Sequence, residues 1–361
     1  NNKADKGAAF YLSAGTSNLT DVTATGNEAN NSGAVYVGSG QTTITGSDIS
    51  SNTSAKTGGA VGMSDGTVTI NNTTMNGNTA GSTGGAVQVD KGKLTVAGSE
   101  LNSNKASNGA SGGAILAYPS TVTIKDTVFD GNSAGYGGAI SANGAVVTVS
   151  GTSEFKNNTA AVRGGAVDAT VSGEKITTLT VTDGTFEDNS SLTGGAIYLR
   201  TNCKADLKGT TLTGNSSTDV NASNSKEAGG GAVYVHTGAA LTLDNATLSG
   251  NTSANYGGAI HVFKGSVDIS GQSSITGSSA STGAAVYTYL CNENSIVDTE
   301  ISNNTARWNG AVYTNSGTLT AKNVTATGNK ADKGAVFYLS AGTNNLTNVT
   351  ATGNQATNAG G

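Results

Sequence analysis

Apolar and polar residues alternate along short stretches throughout this chain. Typical triplets are Val68-Thr69-Ile70, Leu94-Thr95-Val96 and Val122-Thr123-Ile124. An apolar residue at every second position is typical of a β-strand that buries one of its two faces. No stretch shows the period of about 3.6 residues that marks an amphipathic helix. The pattern therefore predicts an all-β protein built from many short strands.

These strands recur at a fixed interval, because a Gly-Gly-Ala-(Val/Ile) motif returns about every 27 residues. Its anchor alanines are Ala8, Ala34, Ala60, Ala86, Ala114, Ala139, Ala166, Ala196, Ala232, Ala259, Ala285, Ala311 and Ala335. A period of this length indicates a solenoid, in which each coil buries its apolar face against its neighbours. We expect residues 1–361 to form one continuous parallel β-helix (β-solenoid) of about 13 coils, with three short strands per coil.

A second motif with the same period consists of a bulky apolar residue, two spacers and an asparagine, as in Phe129 to Asn132. The bulky segment is expected to form the third strand. Amides stacked at the strand spacing can hydrogen-bond to one another and to the turn backbone, so we predict a structural ladder of asparagines. Its members are Asn27, Asn52, Asn78, Asn104, Asn132, Asn158, Asn189, Asn215, Asn251, Asn304 and Asn329. Ser278 interrupts the series.

The glycine directly before each anchor alanine also has a predicted structural role. We expect it to adopt a positive φ at a corner where a Cβ atom would collide with the next coil. A phosphate-binding loop is disfavoured, because no Gly-Lys-Ser/Thr sequence and no predicted helix follow the glycines.

The two motifs together resemble the repeats of the chlamydial polymorphic outer-membrane proteins. They are also similar to repeats in adhesin-like proteins of gut methanogenic archaea and some gut bacteria. The resemblance covers essentially the whole chain, although the bulky position here is more often Leu or Ile than Phe. It implies an extracellular β-helical passenger or stalk that takes part in attachment.

Residues 2–33 nearly repeat residues 329–360 at an offset of 327 residues, which corresponds to twelve coils. We interpret the chain as an internal segment of a longer array built from this 327-residue block. The open ends of such a segment would carry strand edges that favour end-to-end association. Two insertions, residues 169–178 and 216–230, lengthen their coils and are expected to be surface loops.

Composition excludes several functions. The net charge of −5 and a pI near 5.0 disfavour nucleic-acid binding, and we expect no membrane span, cofactor or metal. Cys203 and Cys291 lie three coils apart, too far for a disulfide, so both are expected to be thiols. His236 and His261 fall on neighbouring coils, but no recurring cluster of carboxylates accompanies them, which makes a polysaccharide-active β-helix enzyme the weakest alternative.

Aromatic and imidazole side chains recur two residues after the anchor alanine, where side chains are expected to point outward. They are Phe10, Tyr36, Tyr198, Tyr234, His261, Tyr287, Tyr313 and Phe337. The column is either a ladder of stacked rings that adds stability or an exposed interaction stripe for a surface glycan, a protein or a neighbouring copy.

A second outward column is rich in threonine: Thr20, Thr43, Thr69, Thr95, Thr123, Thr148, Thr180, Thr242, Thr320 and Thr347. Regular threonine on a flat face is compatible with ice binding, but β-propensity alone explains a single column. We therefore predict a non-enzymatic, extracellular structural or adhesin protein with a stalk-like role at the cell surface. The main alternative is a filament that assembles by end-to-end stacking.

Overall fold

The computed structural model describes residues 1–107, 109–220 and 228–360, and these residues contain no helix. The chain divides into two compact units, Asn1–Thr180 and Val181–Gly361. Each unit is a parallel β-solenoid, and about 13 coils are present in all. The predicted fold class is confirmed. In each unit the strands form four parallel sheets, named A to D in the order in which a coil passes through them.

In unit 1, sheet A contains Lys3–Lys6, Glu28–Asn31, Thr53–Ser54, Thr79–Ala80, Lys105–Ala106, Ser133–Tyr136 and Thr159–Arg163. Sheet B contains Phe10–Leu12, Val35–Val37, Val61–Met63, Val87–Val89, Ile115–Ala117, Ile140–Asn143 and Val167–Thr170. Sheet C contains Thr16–Thr20, Gln41–Thr45, Thr67–Asn71, Lys93–Ala97, Thr121–Lys125 and Val146–Ser150, and sheet D contains Val128–Asp130 and Glu154–Lys156. The strand Thr178–Thr182 includes the boundary between the units.

In unit 2, sheet A contains Ser190–Ser191, Ser216–Ser217, Thr252–Ser253, Ser279–Thr282, Thr305–Asn309, Lys330–Lys333 and Gln355–Ala359. Sheet B contains Ile197–Leu199, Val233–Val235, Ile260–Phe263, Val286–Tyr289, Val312–Asn315 and Phe337–Leu339. Sheet C contains Lys204–Lys208, Ala240–Asp244, Ser266–Ser270, Glu293–Val297, Thr318–Lys322 and Thr343–Thr347. Sheet D contains Thr185–Glu187, Thr211–Thr213, Thr247–Ser249, Ser274–Thr276, Glu300–Ser302, Thr325–Thr327 and Thr350–Thr352.

The core consists of apolar columns that run from coil to coil. In sheet C of unit 1, Leu94 pairs with Val122 and Val96 with Ile124, and all four side chains are buried. The threonine between each apolar pair lies on the opposite face of the strand, as the alternation predicts. Each strand therefore meets its own copy one coil away, so like residues stack on like residues.

The bulky-x-x-Asn motif does not form a single strand, so the prediction of three strands per coil is too low for most of the chain. Phe129 and Phe155 lie in sheet D, where their rings stack at 4.8 Å between centroids with planes 1° apart. Asn132 and Asn158 follow at the corner between sheets D and A. The extra corner is needed because the asparagine turns its amide inward, which ends the extended run before sheet A begins.

The two glycines of the motif have different roles, and the predicted positive φ belongs in most coils to the first of them. Gly137 has a φ of 61°, whereas Gly138, directly before anchor Ala139, does not have a positive φ. A Cβ atom on Gly138 would lie 2.1 Å from the carbonyl oxygen of Gly165. The predicted collision with the next coil is therefore present, and it alone explains the second glycine.

The first insertion, residues 169–178, contains a tight turn. The backbone N–H of Ser172 donates to the carbonyl of Lys175 at 2.9 Å, and the reverse bond measures 3.1 Å. Of the second insertion, residues 221–227 lie outside the described residues.

Candidate functional site

Each ladder asparagine uses its amide to join its coil to the next. In unit 1 the backbone N–H and the Nδ2 of Asn104 both donate to Oδ1 of Asn132, at 2.9 and 3.0 Å. The Nδ2 of Asn132 donates to Oδ1 of Asn158 at 2.9 Å and to the carbonyl oxygen of Leu101 at 2.8 Å. The amide thus makes four hydrogen bonds while its side chain is completely buried.

All the predicted ladder residues lie in this buried environment: Asn27, Asn52, Asn78, Asn104, Asn132, Asn158, Asn189, Asn215, Asn251, Asn304 and Asn329. Asn2 joins the series through a 2.8 Å bond to Asn27, and Asn354 joins it through a 2.9 Å bond from Asn329. At Ser278 only the backbone bond to Oδ1 of Asn304 remains, at 2.9 Å. The ladder is a structural element that cannot contact a ligand from solvent.

The aromatic column follows sheet B of unit 2, where Tyr198, Tyr234, His261, Tyr287 and Tyr313 pair in register. Tyr198 and Tyr234 stack at 5.0 Å, and Tyr287 and Tyr313 stack at 4.8 Å. His261 lies edge-on to Tyr234 and to Tyr287, at 4.9 Å from each. The rings therefore form a continuous stacked ladder, one of the two alternatives that the sequence left open.

The prediction that this column is exposed is wrong for four of these five members in unit 2. Tyr234 and His261 are 0% exposed, Tyr287 is 1% exposed and Tyr198 is 9% exposed. Their side chains do lie on the outer face of sheet B, but segments that come before the preceding glycine pairs in the chain cover that face. Tyr256, in such a segment, lies 4.7 Å from the ring of Tyr287. Within unit 2, Tyr313 is only half-buried.

Two predicted members belong to a different column. Phe10 pairs with Val35 and Phe337 with Val312, which are both core positions. The true neighbours of Tyr36 and Tyr313 are Tyr11 and Tyr338, at 4.9 and 5.5 Å between ring centroids. The physical reason is that Gly7 and Gly334, each with a φ of 54°, take the place of the first glycine, and an alanine follows where the second glycine usually stands. The anchor position therefore falls on Ala9 and Val336, one residue later than predicted. The signal in the sequence was the unusual Gly7-Ala8-Ala9 spacing.

The threonine column of sheet C is regular in unit 1, where Thr43, Thr69, Thr95, Thr123 and Thr148 follow one another in register. The two predicted end members, Thr20 and Thr347, lie two residues further along their strands and outside this column. Asn18, not Thr20, pairs with Thr43, and Asn345, not Thr347, pairs with Thr320.

The parallel column beside these threonines is mixed, since it contains Gln41, Thr67, Lys93, Thr121 and Val146. A flat array of two threonine columns is therefore absent from the described part of unit 1.

Two histidines and two cysteines are the remaining candidates for chemistry. His236 Nδ1 lies 3.1 Å from the hydroxyl of Thr201, and His261 Nδ1 lies 3.2 Å from the carbonyl oxygen of Ala228. Cys203 and Cys291 are buried thiols, and burial raises the pKa of Cys291 to about 11. Among the described residues, no group of three or more His, Cys, Asp or Glu side chains could hold a metal ion.

Comparison with known families agrees with this architecture. The family described as the right-handed β-helix region matches residues 169–356, more than half of the chain. The chain belongs to this β-helix family. The repeat of the Chlamydia polymorphic membrane proteins matches residues 126–143, which include Phe129, Asn132 and the Gly137-Gly138-Ala139 motif. The protein is thus a β-helix repeat protein, and one of its repeats is similar to that of the polymorphic membrane proteins.

No curated protein and no solved structure matches this β-helix protein. The described residues contain no helix that is long and apolar enough to span a bilayer.

Proposed function

We propose that this β-helix protein is a non-enzymatic structural component of a cell surface, a stalk that supports attachment from outside the cell. The match to the polymorphic-membrane-protein repeat supports a surface location and an adhesin-like role. Because this match covers only one repeat, the proposal also depends on the role of the recurring side chains in the structure.

The observation that carries the proposal is the burial of the recurring side chains. The ladder asparagines are inaccessible, and so are most members of the aromatic column. Their hydrogen bonds and ring contacts join successive coils within each unit. A repeat whose polar and aromatic groups are used in stacking builds a scaffold, and attachment then depends on non-recurring groups of the outer surface.

The geometry does not favour an enzyme. β-Helix enzymes act through carboxylates clustered in a groove. Here His261 is enclosed between Tyr234 and Tyr287. A cleft on sheet C of unit 2 is lined by two acidic side chains, Asp268 and Glu293, but by no histidine. These side chains therefore provide no assembled acid and base.

Attachment can be tested with beads that carry the purified 361-residue chain. The beads are applied to mucin-coated glass and to cultured epithelial cells, and retention under flow is compared with that of albumin-coated beads. We expect retention several-fold above albumin. Retention equal to albumin on both surfaces would contradict an attachment role.

The alternative of a self-assembling filament stays a prediction. Negative-stain electron microscopy of the same sample separates the two ideas, because an end-to-end filament would lengthen with protein concentration and a stalk segment would not.

A further inference from the structure

A cleft with a volume of about 330 Å³ opens on the surface of unit 2, beside the half-buried end of the aromatic column. Three successive coils form it. The segments before the glycine pairs supply one side, with Tyr256, Thr282 and Asn309 aligned from coil to coil. The strands of sheet B supply the other side through Tyr287 and Tyr313.

Four aromatic rings line this cleft. Tyr256 lies 4.7 Å from Tyr287, and Tyr287 stacks on Tyr313 at 4.8 Å. Trp308 stands at the edge and is 48% exposed, with the guanidinium of Arg307 at 4.6 Å from its ring. Arg307 packs over this ring, yet the side chain of Trp308 remains about half exposed and still offers apolar surface at the edge of the cleft.

The polar groups of the cleft are all uncharged. They include the amides of Asn255 and Asn309 and the hydroxyls of Ser281 and Thr282. The backbone holds them in place, since the N–H groups of Ser281 and Thr282 donate to the carbonyl oxygen of Asn255 at 2.9 and 3.2 Å. Among the described residues, no hydrogen bond engages the side-chain amide of Asn309. This amide can therefore donate to and accept from a ligand.

In the last coils of unit 1 the corresponding place is filled by the chain itself. Asp168 occupies the outer column of sheet B there, and the Nε of Arg163 donates to its carboxylate at 2.8 Å. The guanidinium of Arg163 also lies 4.6 Å from the ring of Tyr136. A cleft of about 220 Å³ does open at the equivalent place in the first coils of unit 1, but charged side chains, Lys6 and Asp90, line it together with a single ring, Tyr36. An uncharged cleft with four aromatic rings is therefore a local property of these three coils of unit 2.

We propose that this cleft binds a neutral saccharide. One pyranose ring would pack its apolar C–H face on the exposed part of Trp308. Its hydroxyls would exchange hydrogen bonds with the amide of Asn309 and would donate to Oδ1 of Asn255, whose Nδ2 already donates to the carbonyl oxygen of Asp219. The inference rests on the proposed attachment function and supplies its class of ligand.

The shape and charge of the cleft favour this ligand over others. A volume of about 330 Å³ is at the lower end of small-molecule sites, which suits one or two sugar rings. A sugar has an apolar face and a rim of hydroxyls, which matches aromatic walls with neutral amides. Two cations lie near the cleft, but neither lines it. The guanidinium of Arg307 packs on Trp308, and Lys333 lies one coil beyond Asn309.

Trp308 makes the test direct, because it is the only tryptophan of the chain. The full chain is titrated with maltose, cellobiose, lactose, mannobiose and N,N′-diacetylchitobiose, and the tryptophan fluorescence is recorded. We expect a saturable change with at least one of these neutral disaccharides and none with a sulfated heparin disaccharide. A flat response to all five neutral sugars overturns the proposal, and so does a response to the sulfated sugar alone.

Variants then establish where the sugar binds. With binding followed by saturation-transfer NMR, Trp308→Ala and Asn309→Ala are each expected to weaken binding about tenfold or more. The matched control is Tyr118→Ala, which removes an exposed ring in unit 1 and should leave binding unchanged. Circular dichroism verifies that each variant is folded, and unchanged binding by a folded Trp308→Ala chain overturns the proposal.

The bead assay distinguishes this inference from the proposed function. If the beads attach but the cleft binds none of the sugars, the attachment role stands and the saccharide site is contradicted. If the chain binds sugar at Trp308 but its beads are not retained, the saccharide site stands and the attachment role is contradicted.

Discussion

At the residue scale, the glycine pair shows how one position can be restricted by conformation and the next by space. Gly137 needs a positive φ, and Gly138 needs the absence of a Cβ atom. The backbone of the adjacent coil, which cannot move aside as a flexible side chain could, causes the second restriction.

Gly138→Val is therefore expected to destabilise the protein by about 3 kcal/mol or more. Its Cβ would meet the carbonyl oxygen of Gly165 at 2.1 Å and the backbone of Thr159 at 2.7 Å. Thr123→Val, on the outer face of sheet C, is the control and should change stability by less than about 0.5 kcal/mol. Denaturant unfolding monitored by circular dichroism compares them, and equal midpoints would contradict the steric argument.

Ser278→Asn is expected to stabilise the protein by about 1 kcal/mol, because it would complete the ladder between Asn251 and Asn304. The backbone at Ser278 already makes the ladder bond to Asn304 at 2.9 Å. The reverse experiment, Asn132→Ser, should lower stability, since four buried hydrogen bonds lose their partner. A lower unfolding midpoint for Ser278→Asn would show that this corner cannot accommodate the larger side chain.

At the scale of the element, the aromatic column is buried by a neighbouring segment of the chain, although its place on the strands predicts exposure. From the sequence, a column of rings on the outer face of the strands is predicted to be exposed to solvent. In the structure the segment that carries Tyr256 lies over it, and the rings become a second core outside sheet B.

Tyr234→Ser is consequently expected to destabilise unit 2 by about 3 kcal/mol, because it removes a completely buried ring between Tyr198 and His261. Tyr118→Ser, which truncates a ring that is 41% exposed, should cost less than about 1 kcal/mol. Hydrogen exchange measured by mass spectrometry should show faster exchange in the coils that flank residue 234. Equal exchange in both variants would mean that the ring contributes little to the packing.

At the scale of the whole molecule, buried acidic groups predict a loss of stability in alkali. Burial raises the pKa of Cys291 from 9.0 to about 11 and raises that of Tyr287 far above its usual value. The fold thus favours the neutral forms, and this contribution is complete below about pH 9 and lost as the pH rises towards 11. The Cys291 part amounts to about 3 kcal/mol, since each pKa unit corresponds to about 1.4 kcal/mol.

The measurement is the denaturant midpoint at about pH 8 and about pH 11. The wild-type midpoint is expected to fall between these values, and that of Cys291→Ala to fall less. A pH dependence that the substitution leaves unchanged would assign the loss to other groups.

The sequence by itself determined the fold class, the period, the inward columns and the asparagine ladder. Each of these depends on a pattern that recurs in every coil, and recurrence makes a local preference visible many times. The Phe129 and Asn132 motif, for example, is readable because the same two residue types return in Phe155 and Asn158.

Only the tertiary structure decided the fourth sheet, the one-residue shift at Phe10 and Phe337, and the burial of Tyr234 and His261. These depend on how one segment lies over another, and such contacts leave no period in the chain. The cleft at Trp308 is of the same kind, since three coils contribute single residues that are ordinary in isolation. Alternation shows which face of a strand a residue occupies, and packing decides whether that face meets water.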